Sequence, residues 1–311
     1  MAYSQRFHSA IVDGRLCAYR LTDGVEGVLE PVRSWLLPEA DTALGHAVTV
    51  DLQRAYYVTL DEIVALSADG GQVWRSSFEP KATSKFGHWP GCLLSLGESA
   101  IWVYRPDAMA GRDRSDQWVV LDSRTGAVIA QADLETAGHG GGQFLHRGDG
   151  SVLLDVGEGQ DGSALYRGSL TETGMDLFVY PWRDRVLVGF SPDGQRFLTV
   201  EHGQVDLKVH AYPQGEVLLS LSLEDFGHGD EEEVYVDWNG GYLDSETVIL
   251  TVTGEDEEKE WFQSYRVDTR TGEVRGAFDT RTDNADGIKF LGDGTWLTVG
   301  PSGHPVRHSD R

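Results

Sequence analysis

The chain has 311 residues, and its 26 Lys and Arg against 50 Asp and Glu give a net charge of −24 at pH 7. So acidic a protein repels phosphate backbones and anionic lipid, and we therefore expect neither nucleic acid nor a membrane among its partners. Its hydrophobic content of 40% is enough for a full core, and its 38 glycines and 9 tryptophans favour a fold of many strands and turns.

The N-terminal segment 1–8 has no apolar stretch of the length that a signal peptide requires, and no run in the chain approaches the roughly 18 apolar residues of a membrane span. We therefore expect a cytoplasmic protein. Cys17 and Cys92 each lie in an apolar run and form no CxxC pair. This pattern predicts two buried reduced thiols, with a disulfide or a nucleophilic thiol as the alternatives.

Two sets of tight turns alternate along the chain. Gly and Asp recur in both sets because Gly adopts a positive φ without strain and Asp bonds its own backbone. One set is expected to join the third strand of a unit to the fourth, and it comprises residues 22–24, 68–71, 124–126, 172–174, 213–215 and 270–272. The other is expected to join the first strand to the second, and it comprises residues 51–54, 96–98, 148–150, 192–194, 243–245 and 292–294.

The runs between these turns are rich in β-forming residues. HAVTV, AYYVTL, IVALS and QVWRSSF make up one unit, and CLLSL, AIWVY, QWVVL and AVIAQADL make up the next. Each unit therefore has four strands, and units recur about every 50 residues, which is typical of propeller blades. No window indicates an amphipathic helix, so we predict an all-β fold.

Several stretches resemble the repeats of known propellers. Val188–Val200 resembles the inner hairpin of a WD40-type repeat, Ile288–Val299 is a second copy, and Val64–Trp74 is similar to a PQQ-type repeat. Gly-His dipeptides stand at the WD40 position ahead of the first strand, at 45–46, 87–88, 138–139 and 227–228. No strand ends in Trp-Asp; Leu121-Asp122 and Val267-Asp268 are the nearest. The resemblance covers nearly the whole chain and implies a single β-propeller domain over residues 1–311, without indicating one member of the superfamily.

The turns predict six four-stranded blades, with seven as the alternative. In the six-blade arrangement, the hairpin 15–37 adds two outer strands to the two inner strands around the turn 292–294, so that N- and C-terminal strands close one blade. Two strand-like pieces, Phe7–Val12 and 304–308, are then left over. Six is preferred because a seventh blade would lack either its innermost or its outermost strand.

One face of the predicted propeller carries the irregular loops. Loops from second to third strands and connections between blades open on this face, here called the top face. Its loops comprise residues 79–88, 105–116, 137–142, 157–163, 201–206, 227–233, 254–260 and 279–286. Long loops on a rigid scaffold are where binding and catalysis concentrate, so we expect the functional site here.

Four histidines occupy equivalent connections between blades, namely His46, His88, His139 and His228. Their equivalence predicts a ring at the mouth of the top face, where converging imidazoles could hold a ligand or a divalent metal. One alternative is that each bonds a hydroxyl or carboxylate within its own blade, as the Gly-His of WD40-like repeats does. The other is simple exposure to solvent.

Three further residues are candidates for ligand binding on the same face. Trp89 follows His88, while Trp182 and Arg183 occupy a connection without Gly-His. Exposed Trp and Arg are typical of binding hot spots, and a Trp wedged between blades is the alternative. The glycines within 139–142 lack the Lys-Ser/Thr of a phosphate loop, so we expect them to let neighbouring blades approach closely.

The acidic clusters 230–233 and 255–258 also fall on top loops. They predict a solvated acidic rim that steers a basic partner, and a Ca²⁺ or Mg²⁺ site is the alternative, although the ligand spacing of a calcium loop is missing. Arg112 and Arg114 would add positive charge to this rim.

The sequence shows no nucleophile, zinc-protease, nucleotide or flavin motif. We therefore predict a monomeric binding or scaffold module that recognises a protein, peptide or small molecule on its top face. The alternative is a metal-assisted lyase, hydrolase or isomerase that uses the histidine ring and the acidic loops. A PQQ enzyme fits poorly, because we expect a cytoplasmic protein and the two cysteines are not adjacent.

Overall fold

The structure is a computed structural model, and it describes residues 7–22, 25–38, 43–85, 87–229, 233–256 and 259–310. Within these ranges the regular structure is β apart from two short 3₁₀ turns, Gly159–Asp161 and Leu223–Phe226. In the part of the chain so described, no helix is long and apolar enough to cross a membrane.

The strands follow one another at short intervals. In chain order they are β1 Phe7–Val12, β2 Arg15–Arg20, β3 Gly27–Val28, β4 Pro31–Leu36, β5 Gly45–Val48, β6 Arg54–Val58, β7 Glu62–Ser67, β8 Gln72–Ser77, β9 Gly91–Leu94, β10 Ala100–Arg105, β11 Gln117–Asp122, β12 Val128–Asp133, β13 Gly140–Leu145, β14 Val152–Gly157, β15 Ser163–Thr171, β16 Gly174–Val179, β17 Arg185–Phe190, β18 Arg196–Glu201, β19 Asp206–Ala211, β20 Val217–Ser222, β21 Val234–Tyr242, β22 Thr247–Asp256, β23 Lys259–Asp268, β24 Val274–Phe278, β25 Lys289–Phe290, β26 Thr295–Val299 and β27 Pro305–Ser309.

These strands form seven antiparallel sheets. Five are meanders of four consecutive strands, β5–β8, β9–β12, β13–β16, β17–β20 and β21–β24. The sixth is β25-β26-β27-β3, and the seventh, first in the chain, is β1-β2-β4. The fold is therefore an all-β propeller with seven blades. The predicted four-stranded blades are confirmed, whereas the preferred count of six is wrong and the alternative of seven is right.

The count differs because the hairpin 15–37 does not pair as expected. β2 and β4 join β1 in a sheet of their own, and only β3 pairs with β27, with Val28 opposite Val306 and the amide of Leu29 donating to the carbonyl of Pro305 at 2.8 Å. Pairing of an N-terminal with a C-terminal strand is thus confirmed, through β3 instead of a full hairpin. The expected turn at Asp23-Gly24 lies outside the described residues.

The first sheet lacks an innermost strand among the described residues. Its last strand, β4, is equivalent to β8, the outermost strand of the next sheet, because each carries a buried Trp whose indole reaches the neighbouring sheet. Trp35 Nε1 donates to the carbonyl of Ser67 at 2.9 Å, and Trp74 Nε1 donates to that of Ser123 at 3.0 Å. The expectation that a seventh blade would miss a terminal strand is confirmed.

The two sets of turns fall where they were predicted, apart from 22–24. The turn between β11 and β12 shows the chemistry that makes them predictable. Asp122 Oδ1 accepts hydrogen bonds from the amides of Arg124 and Thr125, and Gly126 has a φ of 73°. Because these contacts are local, the turn forms from its own residues.

The chain divides into two compact units. The N-unit comprises Arg6–Leu21 and Glu30–Arg183 and contains the sheets β1-β2-β4, β5–β8, β9–β12 and β13–β16. The C-unit comprises Thr22–Leu29 and Asp184–Arg311 and contains the other three sheets. That residues 1–311 form a single domain stays a prediction.

Each unit has a buried apolar core between its sheets. In the N-unit, the indoles of Trp102 and Trp118 lie 4.8 Å apart and are fully buried. In the C-unit, Val200, Val236 and Leu250 belong to one cluster. Alternation along each strand sends these side chains inward, which is why the period-2 pattern of the sequence predicted the strands.

Both cysteines are free. Cys17 is buried and Cys92 is partly buried, and burial raises the pKa of the Cys92 thiol to about 12. Cys92 is therefore a protonated thiol at neutral pH. The predicted free thiols are both present, but the predicted burial holds for Cys17 and only in part for Cys92.

Candidate binding site on the top loops

The structure brings two of the four predicted histidines into contact. The rings of His88 and His139 lie 5.7 Å apart at an interplanar angle of 26° in the N-unit. His46 lies on β5 with its Nδ1 3.1 Å from Ser9 Oγ. His228 lies in the C-unit with its Nε2 3.1 Å from the hydroxyl of Tyr265, a residue of its own sheet.

The His88–His139 pair results from two connections that run side by side. The amide of Trp89 donates to the carbonyl of His139 at 2.7 Å, and Trp89 forms a parallel bridge with Gly140. One connection leads into β9 and the other into β13, so their equivalent histidines become neighbours. The repeat that made the histidines recognisable in sequence thus also aligns them in space.

Glycines make this close approach possible. A Cβ on Gly138 would lie 2.3 Å from Val156 and 2.5 Å from the hydroxyl of Tyr104, and one on Gly141 would lie 2.8 Å from the ring of Tyr104. A Cβ on Gly91 would lie 3.2 Å from the carbonyl oxygen of Gly141. The interpretation of the glycine run as a point of close approach between blades is confirmed.

A buried carboxylate anchors the connection that carries His139. Asp116 accepts hydrogen bonds from the hydroxyl of Tyr104 at 2.9 Å, Thr136 Oγ1 at 3.0 Å, the amide of Gly138 at 2.6 Å and the amide of Ala108 at 3.1 Å. Burial raises the pKa of Asp116, and these hydrogen bonds oppose that rise. The four donors replace the water that the buried carboxylate has lost.

A second carboxylate holds the same connection from the neighbouring loop. Glu158 Oε1 accepts the amide of Ala137 at 2.9 Å, and its other oxygen lies 3.8 Å from Arg183 Nη1. Gly159, with a φ of 64°, lies beside the ring of His139. Glu158 thus links Arg183 to the amide of Ala137, two residues before His139. Trp182 stacks on Tyr180 at 5.1 Å.

His88 has one ring nitrogen in use and one without a partner. The residue is only 6% exposed, and its Nε2 lies 3.1 Å from Ser84 Oγ, while Nδ1 has no hydrogen-bond partner among the described residues. Burial, followed by the neighbouring His139, lowers the pKa of His88, so its imidazole is neutral at pH 7. A neutral imidazole offers one donor and one acceptor, and a ligand group could therefore pair with Nδ1.

Trp89 is the exposed element of this site. Its side chain is 54% exposed although its backbone is fixed by the bond to His139. The alternative of a Trp wedged between blades is therefore wrong for this residue. An exposed indole on a rigid backbone loses little conformational entropy when a partner covers it.

Arg112 and Arg114 of the loop 105–116 do not add free positive charge to the rim, as the sequence predicted, but pair with carboxylates. Arg112 is fully buried, with its guanidinium 3.0 Å from Asp107, 3.1 Å from Asp61 and 2.7 Å from the carbonyl of Pro80. Arg114 is only partly exposed, and its Nε lies 2.8 Å from Asp107. Asp107 is itself fully buried, and its charge is compensated by ion pairs with these two arginines, which are therefore held beside it.

The two acidic clusters fall largely outside the described residues, which exclude 230–232 and 257–258. Glu233 and Glu255 are described and exposed. Within the described ranges, no three His, Cys, Asp or Glu side chains are grouped so as to hold a metal ion. The metal site of the four histidines therefore stays a prediction without a set of ligands to support it.

Sequence reasoning missed the residues that hold the site in place. Asp116 and Glu158 are acidic residues next to strands, and nothing in their local sequence distinguishes them from solvent-exposed ones, while Tyr104 lies within β10 like any core residue. Their role depends on which loops meet. The repeated Gly-His marks equivalent positions in successive blades, and the structure brings two of these histidines, His88 and His139, into contact.

No protein-family model matches the chain, and no curated protein matches it in sequence. Solved structures do match it. BamB from Moraxella catarrhalis is 15% identical with a TM-score of 0.53, and the match covers 97% of this chain and 81% of that one. BBS1N, solved in complex with ARL6DN, is 12% identical with a TM-score of 0.56, and the match covers 99% and 92%.

The dihydro-heme d1 dehydrogenase NirN, solved in complex with DHE, is 13% identical with a TM-score of 0.57. That match covers 100% of this chain and 65% of the NirN chain. At such identities the likeness shows the fold alone. One of these neighbours carries a partner and another is named as an enzyme, so fold does not decide function here.

Proposed function

We propose that this protein is a binding module that holds a protein or peptide partner on the top loops of its N-unit, at Trp89 and the His88–His139 pair. The cytoplasmic location and the monomeric state expected from the sequence are part of the same proposal. The observation that carries it is the exposed indole of Trp89 on a connection fixed by hydrogen bonds.

The residues around Trp89 are suited to recognition. Large aromatic side chains supply most of the binding energy at many interfaces, and a neighbouring polar group fixes orientation. His88 Nδ1 is buried and without a partner among the described residues, so pairing with a ligand would remove a cost that the free protein bears. Arg183, half exposed beside Glu158, adds a positive charge at the edge of the site.

The fold is compatible with this role. BBS1N, which has a similar fold, is solved in complex with ARL6DN. The metal-assisted enzyme stays the alternative, although no group of three metal ligands among the described residues supports it.

The test is a selection of dodecapeptides from a displayed random library on the purified protein, followed by fluorescence polarisation with the selected peptides. Trp89→Ala should weaken their binding about tenfold or more, as for a hot-spot residue. Leu218→Ala is the control, because Leu218 is also exposed but lies in the C-unit and belongs to no proposed site. Failure to select any peptide, or equal binding to Trp89→Ala and the wild type, would contradict the proposal.

A further inference from the structure

A second exposed aromatic surface lies in the C-unit, where the turn after β18 meets β21. The amide of Val236 donates to the carbonyl of Gln204 at 2.7 Å, and Trp238 Nε1 lies 3.4 Å from the carbonyl of Glu201. The rings of His202 and Trp238 lie 5.7 Å apart. These contacts hold the turn and the strand together, so their outward side chains form one surface.

A bulge in β21 shapes this surface. Val236 pairs with Val252 and Gly240 pairs with Leu250, so β21 has two more residues than β22 between these pairs. The bulge contains Trp238. Bulges re-aim side chains and are frequent beside functional sites.

The exposed side chains of this surface include two large aromatic residues. Trp238 is 43% exposed, Tyr235 46% and Val205 54%. Tyr235 adjoins Val236 and Val205 adjoins Gln204, the two residues whose backbones are bonded. We call these three residues and His202 the Trp238 surface. A contiguous exposed patch of this kind is typical of an interaction site.

The charge beside this surface is negative. Asn239 Nδ2 donates to Asp286 Oδ1 at 3.1 Å, and the amide of Asn239 donates to Asp237 Oδ1 at 2.7 Å. Neither carboxylate forms an ion pair with a described residue. Burial and the like charge of Asp286 raise the pKa of Asp237, while the hydrogen bond from the amide of Asn239 opposes that rise.

Two cations of this unit pair with another carboxylate. Arg185 and Lys208 both pair with Asp206, the residue at the end of the turn, and Lys208 Nζ lies 3.0 Å from its carboxylate. The protein as a whole carries a net charge of −24. An acidic partner would therefore be repelled from the Trp238 surface, and a basic one attracted.

We propose that the Trp238 surface docks an Arg- or Lys-rich segment of a partner protein, with a cationic side chain against the indole and the carboxylates of Asp237 and Asp286 beside it. A cation over the face of Trp is favoured because the ring carries negative charge on its face. None of the residues at this surface belongs to the site around Trp89, so the two proposals can fail separately.

The test uses a fluorescein-labelled decapeptide of alternating Arg and Gly, with the Glu and Gly decapeptide as its acidic counterpart. Binding is measured by polarisation at about 150 mM salt, where charges more than about 8 Å apart are screened. We expect the Arg peptide to bind and the Glu peptide not to bind. No binding of the Arg peptide would overturn the proposal.

Variants separate specific docking from attraction to any acidic protein. Trp238→Ala should weaken binding of the Arg peptide about fivefold or more without changing the net charge, and Trp238→Phe should restore most of it. Leu218→Ala removes an exposed apolar side chain outside both proposed sites; it is the control and should bind as the wild type does. Equal binding of the Arg peptide by Trp238→Ala and the wild type would show that the peptide is attracted to the acidic protein as a whole, and it would overturn the proposal.

Removal of one negative charge provides a second arm. Asp286→Asn should weaken binding of the Arg peptide more than Glu216→Gln does. Both substitutions remove one negative charge, but Glu216 is exposed on a different turn, away from the Trp238 surface. Equal effects of the two variants would overturn the placement of the cation at Asp286. Circular dichroism of each variant verifies that the fold is intact.

Discussion

Thr199 and His210 share a buried hydrogen bond of 2.8 Å between Oγ1 and Nε2 in the sheet β17–β20. Thr298 and His308 repeat this bond at 2.8 Å in the sheet that β3 completes. In both sheets the Thr is on the second strand and the His on the third. In these two blades a histidine therefore links the second strand to the third by a hydrogen bond, at a position other than the Gly-His sites.

A neutral His210 ring fits the hydrogen bonds around it. Arg185 Nε donates to Thr199 Oγ1 at 3.0 Å, which leaves the Thr199 hydroxyl proton to be donated to a neutral His210 Nε2 at 2.8 Å. His210 Nδ1 then donates to the carbonyl of Gly215 at 3.0 Å. Burial is the main reason that the pKa of His210 falls to about 4, and the positive charges of Arg185 and Lys208 add to it, while Asp206 opposes it.

The first prediction concerns acid stability. Because the pKa of His210 is about 4 when folded and near 6.5 when unfolded, the unfolded chain binds more protons between these pH values. The contribution of His210 is complete above pH 6.5 and is lost as the pH falls to 4, by about 3 kcal/mol of unfolding free energy. His210→Gln keeps a hydrogen-bond donor and an acceptor but does not titrate. Urea unfolding at several pH values should therefore show that the unfolding free energy of this variant falls less between pH 6.5 and 4 than that of the wild type. An unchanged pH dependence would contradict this account.

The second prediction concerns the tryptophan core of the N-unit. A Cβ on Gly168 would lie 2.7 Å from the ring of Trp118 and 2.8 Å from that of Trp102, and both rings are fully buried. Gly168→Ala should therefore lower the unfolding free energy by about 1–3 kcal/mol through overpacking. Gly157→Ala is the matched control, because a Cβ there meets nothing within 4 Å. Chemical denaturation that ranks the two variants equally would refute the steric argument.

The third prediction concerns the buried ion network of the loop 105–116. Asp107 has no exposed side-chain surface and lies within 3.0 Å of Arg105, Arg112 and Arg114. Asp107→Ala should cost about 3–5 kcal/mol, since it leaves buried guanidinium groups without their counter-charge. Glu135→Ala removes the same charge from an exposed position and should be nearly neutral. Thermal melts of both variants make the comparison.

The fourth prediction concerns closure by β3. Arg307 is buried, with Nη2 2.8 Å from Asp293 and Nη1 2.5 Å from the carbonyl of Thr22, just before β3. Arg307→Met should destabilise the last sheet by about 2–4 kcal/mol because both acceptors lose their donor. Arg270→Met changes the same charge at an exposed position and serves as the control. Hydrogen exchange should show faster opening at Val28 and Val306 in Arg307→Met alone, and equal protection in both variants would argue against this role.

The sequence by itself determined the strands, the turns and the propeller class. The reason is that each turn depends on contacts within a few residues, as the bonds from Asp122 to the amides of Arg124 and Thr125 show. The period of the turns then set the size of the blade. The repeated Gly-His also marked His88 and His139, because equivalent positions in successive blades are visible in one chain.

Tertiary structure alone decided the number of blades and the environment of the candidate site. Seven blades replace six because β2 and β4 pair with β1 in a sheet of their own and only β3 pairs with β27, a division of the N-terminal strands that no local pattern encodes. Likewise, Arg112 resembles a surface residue in sequence, and it is buried because Asp107 and Asp61 require its charge. Local hydrogen bonds can be inferred from neighbouring residues, whereas burial and long-range pairing depend on which segments the whole fold brings together.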